Sequence, residues 1–258
     1  MNYWVLRNLK TQEKLTEKNQ KEINKQLIKY YGTSMNYVIG QFEKTYNKLL
    51  LSIEEGKQPT PADLYKLDAY WQAQAQMRQE LRKLGDKQVA ALSKQFEIQF
   101  FDIYYGIAIP GEDTFTTIES QAVQQLINHI WCADGKSWSD RIWNNTELLQ
   151  AELNDGLIDC VLNGRKTSDL KKILMNRFDV SYNRADALVR TEMAHIQTQA
   201  AQERYTNYGI NEVEVWASKD ERRCEVCGNL HRKRYRVGDK MPIPAHPRCR
   251  CTIIPVVE

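Results

Sequence analysis

Apolar residues recur at steps of three and four along the first half of the chain, which is the spacing of one face of an α-helix. The first stripe runs between Leu15 and Ile53 and predicts a long helix that ends at Gly56. A second helix is expected from Thr60-Pro61, because threonine is a good N-cap and proline fits the first helical position. We expect the buried side of this helix to carry Leu64, Leu67, Trp71, Leu81 and Leu84. The stripe pauses at Gly85, resumes at Val89 and breaks at Gly106 and Pro110-Gly111.

A second block of helical spacing follows as far as residue 208. Ile118 to Ile130 predicts a short helix, and Ser137-Trp138-Ser139-Asp140 offers the N-cap of a longer one that ends at Asn163-Gly164. Thr167 is expected to start a helix that ends near Phe178, and Ser181 to cap the next, which Asn207 to Gly209 closes.

The period then changes from helical to alternating. Val213, Val215 and Ala217 alternate with Glu212, Glu214 and Trp216, which indicates a strand, and Thr252-Ile253-Ile254 is a second β-branched run. The sequence therefore predicts a mainly α fold, with long helices in the N-terminal and middle regions and a small C-terminal β-containing lobe. The expected domains are an N-terminal helical region (1–112), a second helical part (113–209) and the lobe (210–258).

Charge is concentrated in that lobe. The chain of 258 residues has a formal net charge of only +3, which argues against a polycation that coats nucleic acid. Residues 220–258 hold nine Lys/Arg and five Asp/Glu, so this stretch carries +4 and residues 1–219 carry −1. The region after Met1 lacks an apolar signal core, and no stretch approaches the ~20 apolar residues that span a bilayer. We therefore expect no membrane association and a reducing cytoplasm, where clustered cysteines favour metal over disulfides.

The lobe also holds four of the six cysteines, in the spacing of a zinc site. Cys224 and Cys227 form one pair two residues apart, and His246 and Cys249 form a second pair after an 18-residue gap. Four protein ligands complete the zinc tetrahedron, so we expect one structural zinc ion that stabilises the lobe. Cys251 is an alternative ligand to His246, because alternate strand residues point the same way. The competing interpretation is free thiols in a small core, or disulfides.

Basic residues surround the cysteines and are candidates for contact with DNA phosphates. They are Arg222, Arg223, Arg232, Lys233, Arg234, Arg236, Arg248 and Arg250. A solvated surface balanced by the neighbouring acids is an equally good interpretation. His231 is expected to be a solvated loop histidine.

Evidence for catalysis is weak. Glu192 and His195 lie three residues apart on a predicted helix, but no second acidic pair accompanies them, so structural hydrogen bonding is the better interpretation. No phosphate-binding glycine loop, nucleophile elbow or His-Glu-x-x-His helix is present in the sequence. We assign no catalytic residue.

Several of these residues carry a resemblance to a known family. Arg190-Thr191-Glu192, Trp216, Asp220, the pair Cys224 and Cys227, and the ending Pro244-Ala245-His246-Pro247-Arg248-Cys249-Arg250-Cys251 closely resemble the head morphogenesis domain of phage Mu protein F-like minor head proteins. The likeness extends to Trp138-Ser139-Asp140-Arg141-Ile142-Trp143. Relatives usually carry Leu-Asp-Gly-Lys where this chain has Asn229-Leu230-His231-Arg232, so a histidine stands in place of a glycine that tolerates positive φ.

The resemblance implies a minor capsid protein of a tailed phage or prophage. It implies a place in the virion, in the head interior or at the portal vertex, with assembly in the bacterial host cytoplasm. The implied partners are the portal protein and capsid or scaffold components, with double-stranded DNA as a further candidate during packaging or ejection. The resemblance also implies a structural role for five motif residues: Arg190, Thr191, Glu192, Trp216 and Asp220.

Two other functions remain open from the sequence. One is a metal-dependent nuclease, for which His231 is the candidate base without a convincing partner. The other is a zinc-containing DNA-binding module, which the net charge of −1 over residues 1–219 does not favour. We expect no enzyme, and the short sequence after Pro255 carries no effector domain of the kind found in some relatives.

Overall fold

A computed structural model of the chain describes residues 3–53, 57–109, 117–217 and 223–256. Its helices are α1 (Tyr3–Leu51), α2 (Pro61–Tyr65), α3 (Asp68–Gly106), α4 (Ser120–Ile127), α5 (Trp138–Leu162), α6 (Thr167–Asn207) and α7 (Glu225–Leu230). Its strands are β1 (Glu212–Trp216), β2 (Arg234–Arg236) and β3 (Thr252–Pro255). The predicted fold class, mainly α with a small C-terminal β-containing lobe, is confirmed. The predicted helix ends at Gly56 and Pro110-Gly111 lie outside the described residues.

The chain forms two compact units. The first unit comprises Met1–Asn24, Ala91–Trp138 and Asp186–Glu258, and the second comprises Lys25–Ala90 and Ser139–Ala185. The predicted domains follow chain order, whereas each unit is built from separate stretches, so the division into three domains stays a prediction. In the part of the chain that the structure describes, no helix is both long and apolar enough to span a membrane.

The second unit has an apolar core made by segments of α1, α3, α5 and α6. Its buried members include Phe42, Tyr46, Met77, Leu81, Leu149, Leu153, Leu170, Leu174 and Phe178. They recur at three- and four-residue steps on each helix, as the stripe pattern predicts.

The predicted interruption at Gly85 is wrong, because α3 continues through it. The reason for the glycine is close packing rather than a turn. A Cβ placed on Gly85 would lie only 2.4 Å from the ring of Trp143 on α5. The glycine therefore lets the indole lie directly against the backbone of α3.

The predicted break between Phe178 and Ser181 is also wrong, because α6 runs unbroken from Thr167 to Asn207. Ser181 is fully buried within this helix. Its carbonyl accepts a hydrogen bond from Asn145 Nδ2 at 2.9 Å, and the Tyr31 hydroxyl lies 3.3 Å from its Oγ. Contacts from other helices, and not a helix end, account for the serine.

The helix predicted from Thr60 is two helices. Thr60 caps α2 in a reciprocal box with Asp63, as expected, but α2 ends at Tyr65 and α3 begins at Asp68. Trp71 was expected to be buried, yet it is 55% exposed. Its indole N–H donates to the Tyr65 carbonyl at 2.9 Å, so the ring packs over the short connection between the two helices.

The first unit contains a polar stripe that the sequence pattern did not predict. Buried Asn8, Gln12, Thr16 and Asn19 continue the helical spacing of the apolar stripe toward the N-terminus, so α1 begins at Tyr3 rather than near Leu15. Thr16 donates to Gln197 of α6 at 2.8 Å and accepts from Gln99 of α3 at the same distance. Cross-helix hydrogen bonds thus satisfy a face that hydrophobicity could not reveal.

The lobe belongs to the first unit and is built on a three-stranded antiparallel sheet of order β2-β1-β3. Val213 and Val215 of β1 and Ile253 of β3 are fully buried, as the alternating pattern indicates. Gln12 of α1 donates to the Ile253 carbonyl at 3.2 Å, and Gln197 of α6 donates to Thr252 at 2.8 Å. These bonds hold β3 against the two helices.

Candidate metal centre

Two short segments of the lobe bring the cysteines together. Cys224 is the N-cap of α7, and its sulfur accepts a hydrogen bond from the backbone N–H of Cys227 at 3.4 Å. The second segment, residues 246–251, makes a turn and leads directly into β3. Cys227, Cys249 and Cys251 are buried, whereas Cys224 and His246 are half-buried. Three of the five donor residues are therefore shielded from solvent.

Cys227 is the centre of the cluster. Its sulfur lies 3.1 Å from His246 Nε2 and 3.8 Å from the Cys249 sulfur. Cys227 belongs to two groups of three donors, and the donor atoms within each group lie within 4.8 Å of one another. One group is Cys224, Cys227 and His246, and the other is Cys227, Cys249 and Cys251. Two sulfurs that each lie ~2.3 Å from a tetrahedral zinc are about 3.8 Å apart, so the spacing of Cys227 and Cys249 fits a common ion.

The orientation of His246 also suits a metal ligand. Its Nδ1 lies 2.8 Å from the Pro247 carbonyl, an atom that can only accept, so Nδ1 carries the proton. In the neutral ring, Nε2 then has its lone pair directed toward the Cys227 sulfur. Ligating histidines commonly donate their other N–H to a backbone carbonyl in this way.

The thiols of the cluster differ in acidity. A hydrogen bond from Cys251 lowers the pKa of the Cys249 thiol to about 5, and the same bond raises the pKa of Cys251. Burial raises the pKa of Cys227 to about 12, whereas the backbone N–H of Cys227 lowers the pKa of Cys224. One thiolate is thus stabilised even without an ion, and a bound cation would displace the remaining thiol protons.

The turn that carries His246 and Cys249 is held by α6. Arg248, between them, has a left-handed backbone with φ of 62°, which is unfavourable for a residue with a side chain. Its backbone N–H donates to Thr191 Oγ1 at 3.0 Å, and its guanidinium donates to Asp186 at 3.0 Å. Arg190 donates to the same carboxylate at 2.9 Å. Arg190 and Thr191 therefore position the turn, directly or through Asp186.

Glu192 and His195 face a different part of the first unit. Glu192 accepts a hydrogen bond from the Trp131 indole at 3.0 Å, and the His195 ring stacks on that indole at 4.4 Å. Burial, with a smaller contribution from the charge of His129, lowers the pKa of His195 to about 4. Glu192 thus makes the structural hydrogen bond that the sequence favoured, whereas the contact of His195 with the indole is a ring stack.

Trp216 and His231 pack together at the end of β1. The rings meet edge to face at 5.3 Å, and His231 Nδ1 accepts from the backbone N–H of Ala217 at 3.3 Å. His231 is thus half-buried and bonded rather than solvated. Its φ is −58°, and the left-handed residue is the next one, Arg232, at 65°. The residue with a positive φ therefore lies one position after the one that holds glycine in the relatives.

The candidate DNA-contacting residues separate into two groups. Arg232 and Arg234 lie 3.9 Å and 4.0 Å from Glu214 and Glu212 of β1, and Arg236 is opposite Glu212 in the strand register. The second group, Arg223, Arg248 and Arg250, lines a cleft beside the cysteines. Lys233 is exposed next to β2, and Arg222 lies outside the described residues, as does the motif residue Asp220.

Sequence reasoning missed Asp186, which binds two of the arginines around the centre. The available signal was its spacing, since a carboxylate four residues before Arg190 on a helix is positioned to pair with it.

The architecture is that of a helical protein with a small Cys- and His-bearing lobe. Residues 151–254 match the family model described as Phage Mu protein F like protein. The match supports a phage Mu protein F-like head morphogenesis domain in this stretch, which holds α6, β1, β2 and the described donors of the centre, and the resemblance seen in the sequence is confirmed over these residues. Comparisons with curated proteins and with solved structures found no match.

Proposed function

We propose that this protein is a minor head protein of a tailed phage or prophage that acts in head morphogenesis at the portal vertex. The observation that carries the proposal is the family match over residues 151–254. The geometry supports it, because the motif residues Arg190 and Thr191 hold the turn that ends in the Cys249-Arg250-Cys251 motif. The match is to a phage head protein, which is consistent with a structural role.

The lobe's donors suit a single zinc ion. Three thiolates with one imidazole, or four thiolates, are ligand sets that zinc favours in structural sites. We assign Cys224, Cys227, His246 and Cys249 as ligands, with Cys251 as the alternative to His246. A closed tetrahedron leaves no position for a reactive water, so the ion's contribution is to fix residues 224–227 and 246–251 against each other.

The proposed partners are the portal protein and capsid or scaffold components, in the head interior or at the portal vertex. Double-stranded DNA is a further proposed partner, through the arginines beside the centre. The nuclease alternative receives no support from His231, because this side chain packs on Trp216 and accepts a backbone hydrogen bond.

Assembly provides the direct test. The protein would be tagged and co-expressed with the portal, scaffold and capsid proteins encoded beside it, and the purified complexes would be analysed by mass spectrometry and electron microscopy. We expect portal protein to co-purify with the wild type, and particles made without the protein to be aberrant or unable to retain DNA. Normal, DNA-filled particles from a deletion, together with no portal association, would overturn the proposal.

A further inference from the structure

A cleft of about 490 Å³ opens over the cysteine cluster in the first unit, and the five candidate metal ligands form part of its lining. Its size is within the ~300–1,000 Å³ typical of ligand pockets. Arg190 of α6 lines it together with Arg223, Arg248 and Arg250, and Gln20 of α1 forms part of the wall. We call this the arginine cleft. Arg190 was not among the DNA-contacting residues expected from the sequence.

Two of these guanidinium groups are held in place by one carboxylate. Asp186 is 8% exposed, and its two oxygens accept from Arg190 Nε at 2.9 Å and 3.0 Å. Oδ2 also accepts from Arg248 at 3.0 Å. Arg190 Nη1 lies 3.4 Å from Gln20 Oε1, which fixes the guanidinium plane from a second helix. An arginine held in this way loses little side-chain entropy when it binds a ligand.

The charges of the cleft do not balance. Among the described residues that line it, Asp186 is the one carboxylate, against four arginines. A zinc ion held by three thiolates would add a single negative charge, which still leaves the lining positive. The arginines of β2 differ, because acidic residues of β1 lie opposite them. Among the described residues that line the cleft, positive charge is therefore in excess.

We propose that the arginine cleft binds a phosphate group. Planar guanidinium groups donate paired N–H bonds that match phosphate oxygens, and a guanidinium carries five donors in all. The phosphate belongs either to a DNA backbone or to a free phosphate ion. This inference deepens the proposed function. If the phosphate belongs to DNA, the inference rests on the DNA contact proposed above; if it is a free ion, it does not.

The test measures binding of a labelled DNA duplex by fluorescence anisotropy over a range of salt concentrations. Arg190→Gln and Arg223→Gln each remove one charge from the cleft, and Arg234→Gln removes one from β2 as the matched control. We expect each cleft variant to weaken binding at least about tenfold and to lower the salt slope by about one, since one phosphate contact is lost. Arg223 is exposed, so its variant remains informative if Arg190→Gln fails to fold.

Competition identifies the source of the phosphate. Inorganic phosphate and polyglutamate would be titrated against the complex, and phosphate binding alone would be followed by calorimetry. If the duplex binds but the cleft variants behave like Arg234→Gln, or if polyglutamate competes as well as phosphate, the cleft proposal is overturned. If the wild type binds phosphate but not DNA, and Arg190→Gln loses that binding, the cleft is supported and the DNA contact fails. Binding of neither ligand overturns both.

Discussion

Replacing Cys227 with serine should remove most of the metal affinity of the lobe. Cys227 belongs to both groups of donors, and its sulfur lies 3.8 Å from Cys249 and 3.1 Å from His246 Nε2. Structural zinc sites in small domains bind with roughly 10–16 kcal/mol of apparent free energy. If four ligands share this equally, one ligand contributes about 2.5–4 kcal/mol, which corresponds to a loss of about 100- to 1,000-fold in affinity.

The assay is metal analysis of the purified protein followed by competition with a chromophoric zinc chelator. The wild type should hold close to one zinc per chain, and Cys132→Ser is the matched control because Cys132 belongs to neither donor group. A Cys227→Ser protein that keeps one zinc at wild-type affinity would refute the reasoning. His246→Ala and Cys251→Ser, measured in the same way, identify the fourth ligand, since the larger loss marks the residue that binds the ion.

Three further predictions concern stability. Thr191→Val should lower the free energy of unfolding by about 1–2 kcal/mol, because the ligand-bearing turn loses its backbone acceptor; Thr206→Val, which loses only a bond to the preceding helical turn, should cost less in the same denaturation assay. Gly85→Ala should destabilise by about 1–2 kcal/mol through overpacking, whereas Gly40→Ala, with nothing within 4 Å, should stabilise by up to about 1 kcal/mol; equal thermal melting points would contradict this. Burial lowers the pKa of His195 to about 4, so the unfolded chain takes up a proton near pH 6.5 and the folded chain does not. Stability should therefore fall by up to about 3 kcal/mol between pH 6.5 and 4, and His195→Phe should flatten that decline in urea titrations.

The helices of the second unit were largely predictable because their buried faces are apolar. Leu64, Leu81 and Leu84 were all expected to be buried, and the core contains them. Single glycines and capping residues were less reliable as signs of a helix end. Glycine often interrupts a helix, but Gly85 lies within α3 and packs against the ring of Trp143 on α5. That partner is 58 residues further along the chain.

The first turns of α1 were not predictable from hydrophobicity. Asn8, Gln12, Thr16 and Asn19 are buried, yet a pattern of polar residues is normally typical of a solvated face. Their burial is possible because each finds a partner, such as Ala108 for Asn8 and Gln99 for Asn19. Such pairing depends on tertiary structure and leaves no periodic signal.

The candidate ligands of the centre were predictable from the sequence, but the residues of α6 that hold the ligand-bearing turn in place were not. Spacing alone indicated Cys224, Cys227, His246 and Cys249, because short intervals along the chain keep donors within reach of one ion. The spacing could not show why Arg190 and Thr191 accompany them in the resemblance, since both residues lie more than 30 positions before Cys224 in the chain. The geometry supplies a reason. A turn with a left-handed arginine is held only if another element satisfies its backbone N–H and its guanidinium. Helix α6 does both through Thr191 and Asp186, and the same carboxylate orients Arg190 into the arginine cleft, so the support of the centre and the proposed phosphate site share one anchor.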